Sequence, residues 1–274
     1  MTAPRLRTAI WNEEAASGDP FTAESCYCHG YDVFGEILEK ASYPEYLYLL
    51  FRGEKPAPAT ARALEILAVA LANPGPRDPS VHAAMAAGVG GSPAAAVLMA
   101  ALASGAGVSG GAREIFRSME LWQTCGCSLA AWQQALHPST EKSAGQRRSV
   151  WPENEHPPGF AAYSPQFALP VRQTLAALSR VLSADKLAWL HSQREALEQL
   201  ADSPLAMTGV AAAALTDLGF SPADGEMLAL LLRLPGAAAH ALEQGRNGIR
   251  HFPFFTIDIP NDPGPQTGDS YGER

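Results

Sequence analysis

Apolar positions along this chain recur every three to four residues through most of its length, the spacing of helices with one buried face. The segments YDVFGEILE (31–39) and YPEYLYLLFR (43–52) read as helices, the second with Pro44 in its first turn and Gly53 past its end. A helix over 60–72 follows the loop KPAPAT. Ser80 is a candidate cap for VHAAMAAGV, and Ser92 for PAAAVLMAALAS, with Pro93 at the first helical position. Further helices are expected over 111–122, 128–136, 171–182, 184–200 (capped by Ser183) and 205–218. Two more, 222–234 and 236–244, are expected as separate pieces, because Pro235 removes a backbone donor and breaks helices.

The pattern lapses in two places. Residues 137–170 are rich in Pro, Ser, Gly and charge, and a loop of that length usually carries function. Residues 253–274 are rich in Pro, Gly and Asp and are expected to run extended or disordered over a surface. Strand alternation is confined to 6–11 and 26–29, a candidate short hairpin. The fold class is therefore all-α, with no internal repeat of fixed period.

The 274 residues allow one large domain or two unequal ones. Charged residues make up 18%, below the usual quarter, which fits Ala-rich helices packed closely or an oligomer. The net charge of -8 and the lack of a basic stripe argue against nucleic acid. The beginning, MTAPRLRTAIWNEE, has no apolar signal core, and neither 93–108 nor 228–242 makes a convincing membrane span. A soluble, cytoplasmic protein is expected. Four cysteines fall as two C-x-C pairs, Cys26/Cys28 and Cys125/Cys127; this is not the spacing of a zinc knuckle, so reduced thiols and no metal are expected.

One motif needs testing. In GAGVSGGAREIF, Gly105, Gly107 and Gly110 match the G-x-G-x-x-G of dinucleotide-binding turns. That motif needs a strand before it and an acidic residue about 20 positions on. Here a helix-forming run, AAAVLMAALAS, precedes it, and 125–135 carries no Asp or Glu. A close helix-to-helix turn explains the glycines better.

Read that way, Gly110-Gly111-Ala112 resembles the HGGA turn of the citrate synthase superfamily. HGYDVFGEIL resembles its RGYD segment, YPEYLYLLFRGEKP its Leu-Leu-x-x-Gly-x-x-Pro run, PPGF its PGFGH loop, and RLPGAAAHALEQ its R-x-x-G-x-x-A-H-x-x-E-Q helix. These fall in the same order and cover most of the chain, whose length suits the compact citryl-CoA lyase-like branch. The resemblance implies a two-domain helical fold, with a large domain of 1–108 plus 222–274 and a small domain of 109–221. It also implies a homodimer with a cleft between the domains, and an acyl-CoA thioester condensed with, or released from, a 2-oxo acid.

In that family a carboxylate takes the α-proton, the HGGA histidine holds the enolate oxygen and the PGFGH histidine polarises the 2-oxo carbonyl. This chain differs at all three. Ser109 replaces the first histidine, Ala161 and Ala162 replace glycine and histidine in the second loop, and counting back from Asp217-Leu218-Gly219-Phe220 puts Thr208 at the carboxylate, a one-residue gap moving it to Met207 or Gly209. Loss of an acid–base group typically slows a reaction about 10²- to 10⁴-fold. Arg233 matches a carboxylate-holding arginine, and a guanidinium fork suits that task. His29 stands at the arginine of RGYD, Arg172 lies one place past that of a D-P-R segment, His82 falls near a third arginine position, and His240 matches the last helix.

Ser109 and Thr208 are accordingly the catalytic candidates, and His29, His82, Arg172, Arg233 and His240 the substrate-binding ones. The leading reading is a divergent enzyme acting on an acyl-CoA thioester or a small carboxylate, with coenzyme A as part of a substrate and no tightly bound cofactor. The second is a catalytically inactive homologue that serves as a regulatory or partner subunit. The family reaction on differently aligned residues and a metal-dependent variant are the remaining two.

Overall fold

A computed structural model describes residues 8–137, 156–161, 163–183 and 185–253. The chain enters through a hairpin. β1 (Trp11–Ala16) pairs antiparallel with β2 (Asp19–Cys28), Trp11 opposite Cys28 and Ala16 opposite Asp19, and β3 (Tyr31–Asp32) adds to the other edge of β2. The hairpin expected between 6–11 and 26–29 is thus displaced and longer. Its outer half is solvent-exposed on both faces, so it carries no period-two burial pattern to read. Only its inner end is anchored, where Cys28 packs with Val33, Ile37 and Leu49.

The helix expected over 31–39 is also reshaped. It begins as β3, continues as a π-helical turn (Val33–Ile37) whose entry Asp32 caps by accepting from the Gly35 N–H, and ends in α1 (Leu38–Lys40). α2 (Tyr43–Arg52) has the expected bounds: Ser42 and Glu45 form a capping box, and Gly53 ends it in the left-handed conformation. α3 (Pro58–Ala72) follows. α4 (Pro79–Val89) is capped by Asp78, not Ser80, because the Asp78 carboxylate accepts from the Ser80 N–H. Pro93, not Ser92, precedes α5 (Ala94–Gly105); the Ser92 N–H instead closes the end of α4 on the Ala87 carbonyl.

α6 (Ala112–Cys125), α7 (Leu129–Leu136), α8 (Leu169–Val181), α9 (Asp185–Ala201) and α10 (Met207–Asp217) follow the expected elements closely. The first turn of α9 donates to α10, the Lys186 and Leu187 N–H groups reaching the Asp217 carboxylate at 3.2 and 2.9 Å. α11 (Pro222–Asn247) is one helix, not two. Pro235 is accommodated because tertiary packing holds both halves. The first half joins a large core with α2, α3 and α6–α10, and the second joins α4 and α5. At the crossing, Gly236 lies against the Ala72 carbonyl at the end of α3, an approach that any Cβ would block.

The architecture is all-α with a small N-terminal sheet. No helix among the described residues is long and apolar enough to cross a membrane. The expected domain limits, 108/109 and 221/222, fall at the α5–α6 and α10–α11 turns. Residues 138–155, the tail 254–274 and Ala162 lie outside the described residues.

Candidate functional site

The α5–α6 turn explains its glycines. Gly110 is left-handed (φ 72°), and Gly111 packs so tightly on the backbone of Gly105 and Gly107 that a Cβ would collide with it. The chain crosses over itself and starts α6 with no side-chain cap at Gly111. The shortfall is met from within α6: Glu114 turns its carboxylate back onto the Gly110 N–H, a variant of the reach-back used in capping boxes.

Glu114 is 1% exposed and gathers three further donors. Oε1 accepts from the Gly159 N–H at 3.0 Å and the Thr208 hydroxyl at 2.7 Å, and His156 Nε2 lies 3.4 Å from Oε2. One buried carboxylate therefore joins the α5–α6 turn, the 156–161 loop and the start of α10. The loop is fixed on its other side by Phe160 bridging Leu205, by Ala161 N–H to the Pro204 carbonyl (2.7 Å) and by Ala206 N–H to the Gly159 carbonyl (2.9 Å). Gly159 (φ 90°) and Gly209 allow this contact: a Cβ on Gly159 would stand 3.0 Å from Gly209 Cα and 2.7 Å from Ser118 Oγ.

Above this floor opens a cavity of about 530 Å³, lined among others by Asp78, Glu114, His156, Phe160, Thr208 and Arg233. Arg233 is 8% exposed; it donates to the Gly110 carbonyl at 3.0 Å and stands 3.5 Å from Asp78 Oδ2. Asp78 also accepts from the Ser80 hydroxyl and N–H. The guanidinium has five donors, so an anion can still be met. His156 is 8% exposed, and its Nδ1 is buried without a hydrogen-bond partner among the described residues.

Of the residues expected from sequence, Thr208 and Arg233 meet in this cavity. Ser109 is exposed and outside its lining. His29 sits in a left-handed turn (φ 47°) between β2 and β3, its Nε2 3.4 Å from the Leu50 carbonyl, and serves the hairpin's seat on α2. His82 stacks with Phe252, ring centres 6.3 Å apart. Arg172 is exposed on α8, one residue from cavity-lining Val171. His240 meets the cavity indirectly, with Nε2 3.1 Å from Oδ1 of Asn73, a lining residue.

Sequence reasoning missed Glu114, His156 and Asp78. The available signals were slight: an acid three places after the Gly111 cap position and a histidine directly before PPGF.

The cysteines are all free thiols, and burial pushes Cys28 and Cys125 above their ordinary pKa, which favours the protonated form over the metal-binding thiolate. No group of three or more His, Cys, Asp or Glu side chains suited to a metal occurs among the described residues.

No protein-family model matches the sequence, and no curated relative matches it either. Solved structures do. A citryl-CoA lyase from Hydrogenobacter thermophilus superposes with a TM-score of 0.68 at 17% identity, over 94% of this chain and 96% of its own. The ATP citrate lyase of Methanothrix soehngenii, solved with citrate and coenzyme A, gives 0.69 at 18% identity, over 96% of this chain. That of Methanosaeta concilii, solved as a mutant with (3S)-citryl-CoA, gives 0.69 at 15%, again over 96% of this chain. This chain spans 43% of the length of each ATP citrate lyase. At such identities the likeness establishes a shared fold, the citryl-CoA lyase-like helical fold.

Proposed function

We propose that this chain binds a small carboxylic acid or an acyl-CoA thioester in the Glu114–Arg233 cavity and makes or breaks a carbon–carbon bond beside an acyl carbonyl there. The observation that carries this reading is one of place. Thr208 and Arg233, picked out by resemblance alone, line one cavity together with a buried carboxylate and a buried imidazole. The fold is one that a citryl-CoA lyase also adopts. The cavity also straddles the proposed domain line: Asp78 and Arg233 come from the 1–108 plus 222–274 unit, and Glu114, His156 and Thr208 from 109–221. A ligand held by both sides would draw them together. Arg233 is the carboxylate anchor, and Thr208, whose hydroxyl proton is given to Glu114, can accept at its oxygen but is no base.

The test is calorimetry and turnover with purified protein, using acetyl-CoA with oxaloacetate in one direction and citrate with coenzyme A in the other. Binding of either set with carbon–carbon bond turnover is expected. Failure to bind any of them would sink the reading.

A second reading, an inactive regulatory or partner subunit, has its own support: Glu114 and Arg233 are already engaged by the protein's own groups. It predicts binding without turnover and a changed rate in an active homologue on mixing.

The same proposal includes a homodimer. The apolar groove of α4, α5 and the end of α11 is lined by Val97, Leu98, Ala241 and Leu242, the last at 67% exposure. Light scattering on Leu242→Glu is expected to report a monomer where the parent protein is a dimer.

A further inference from the structure

We propose that His156 is the proton-transferring base of the cavity, with Glu114 as the residue that positions it; this rests on the acyl-thioester reading above. Few acid–base groups stand at that place among the described residues. Asp78 is occupied by Arg233 and Ser80. Glu114 is saturated by donors from Gly110, Gly159, Thr208 and His156. Thr208 gives its proton to Glu114. His156 alone among these keeps an uncommitted polar atom: Nδ1, on a cavity-lining ring more than nine-tenths buried, is closed to solvent until a bound ligand moves the ring.

The two nitrogens have different tasks. Nε2 faces a carboxylate, which can only accept, so Nε2 carries hydrogen. In the neutral ring that leaves a lone pair on Nδ1. A buried acceptor without a donor is costly, and a ligand that supplies one recovers the cost. The geometry is that of a carboxylate–imidazole pair in which the acid fixes the tautomer and offsets the charge formed on the ring. Nδ1 takes the proton from the carbon beside the thioester carbonyl. The C–H electron pair moves into the enolate, and the imidazolium formed is balanced by Glu114. The reverse step returns a proton to carbon, and no other reactant is needed. This places the base on the 156–161 loop, whereas the resemblance had pointed to Thr208 on α10.

The test is isotope exchange. Acetyl-CoA is incubated with the protein in D₂O, and deuterium in the acetyl methyl is followed by mass spectrometry, with binding measured by calorimetry. His156→Gln retains an N–H donor for Glu114 but has no base. The expected result is exchange by the parent protein and at least a ~100-fold slower rate in His156→Gln, with acetyl-CoA affinity changed by less than about threefold. Equal exchange by both proteins, or binding by the parent without exchange, overturns the assignment of His156 while leaving the acyl-thioester reading in place. If acetyl-CoA does not bind, the acyl-thioester reading fails and the base assignment falls with it. A ligand-free readout runs beside these: ¹⁵N spectra of histidine-labelled protein, with His156 identified by its loss in the Gln variant. Hydrogen on Nε2 and a bare Nδ1 in the neutral ring are expected; hydrogen on Nδ1 overturns the proposal.

Discussion

Replacing Glu114 by alanine strips one acceptor from four donors at once. The Gly159 N–H, the Thr208 hydroxyl and His156 Nε2 belong to buried residues, and Gly110 is exposed and can find water. A buried polar group left unpaired costs about 1–3 kcal/mol. Three such groups set an upper range near 3–9 kcal/mol, and water entering the cavity satisfies one or two of them. The expected loss is about 3–5 kcal/mol, near the limit of single substitutions. For a chain of this size that is roughly 6–20 °C in melting temperature. Glutamine is the instructive control. Its amide oxygen keeps Gly159 and Thr208, and its NH₂ confronts the Gly110 N–H, which water can satisfy, and the His156 ring, which can present Nε2 as an acceptor in its other tautomer, so about 1–2 kcal/mol is expected. Urea unfolding followed through the Trp122–Trp132–Trp189 cluster measures both, read as a midpoint shift at constant slope. If alanine costs less than about 1 kcal/mol, or no more than glutamine, the carboxylate is not the clasp described above.

Other expectations follow from single contacts. Gly236→Ala forces a Cβ into the Ala72 carbonyl and the Asn73 backbone, whereas in Gly225→Ala it meets the mobile end of Met119, so thermal melting should fall further for the first. Asp78→Asn keeps a cap for α4 and removes the carboxylate beside Arg233; citrate binding by calorimetry should tighten at least about fivefold, since a buried guanidinium stripped of its carboxylate stays uncompensated until an anion arrives. The Ser42 N–H and hydroxyl hold the Glu45 carboxyl below its ordinary value of 4.5. Its contribution is therefore present above that pH and fades as pH falls through the lowered folded value. Glu45→Gln should cost about 0.5–1 kcal/mol at pH 7 and progressively less in acid melts below pH 4.5, and an unchanging gap would refute this.

How far the sequence leads depends on the range of the interaction. α2 is fixed by neighbours in the chain, Ser42, Pro44, Glu45 and Gly53, and its limits were readable to the residue. The break expected at Pro235 is overruled by packing on helices far away in sequence, α3 with Ala72 against Gly236 among them, a force that local propensity does not contain. The hairpin was misplaced because its outer half buries little on either face. The site divides in the same way. Arg233 and Thr208 were reached through motif order. Glu114 in a first helical turn reads as an ordinary dipole-compensating acid, and its real partners stand 45 and 94 positions further on. His156 sits in a Pro-rich loop with no periodicity at all, and only the folded backbone shows that it faces a carboxylate.

That separation along the chain also sets a schedule. At about 5–20 residues per second of synthesis, roughly 5–20 s pass between the appearance of Glu114 and that of Thr208, and Arg233 comes later still. During that interval α6 presents a carboxylate and the apolar face of Ile115, Met119 and Trp122 with neither α10 nor α11 to cover them. A nascent chain halted near residue 200 should therefore be cut readily by protease where the finished protein resists, and the 105–114 turn is then a late lock rather than an early nucleus of assembly.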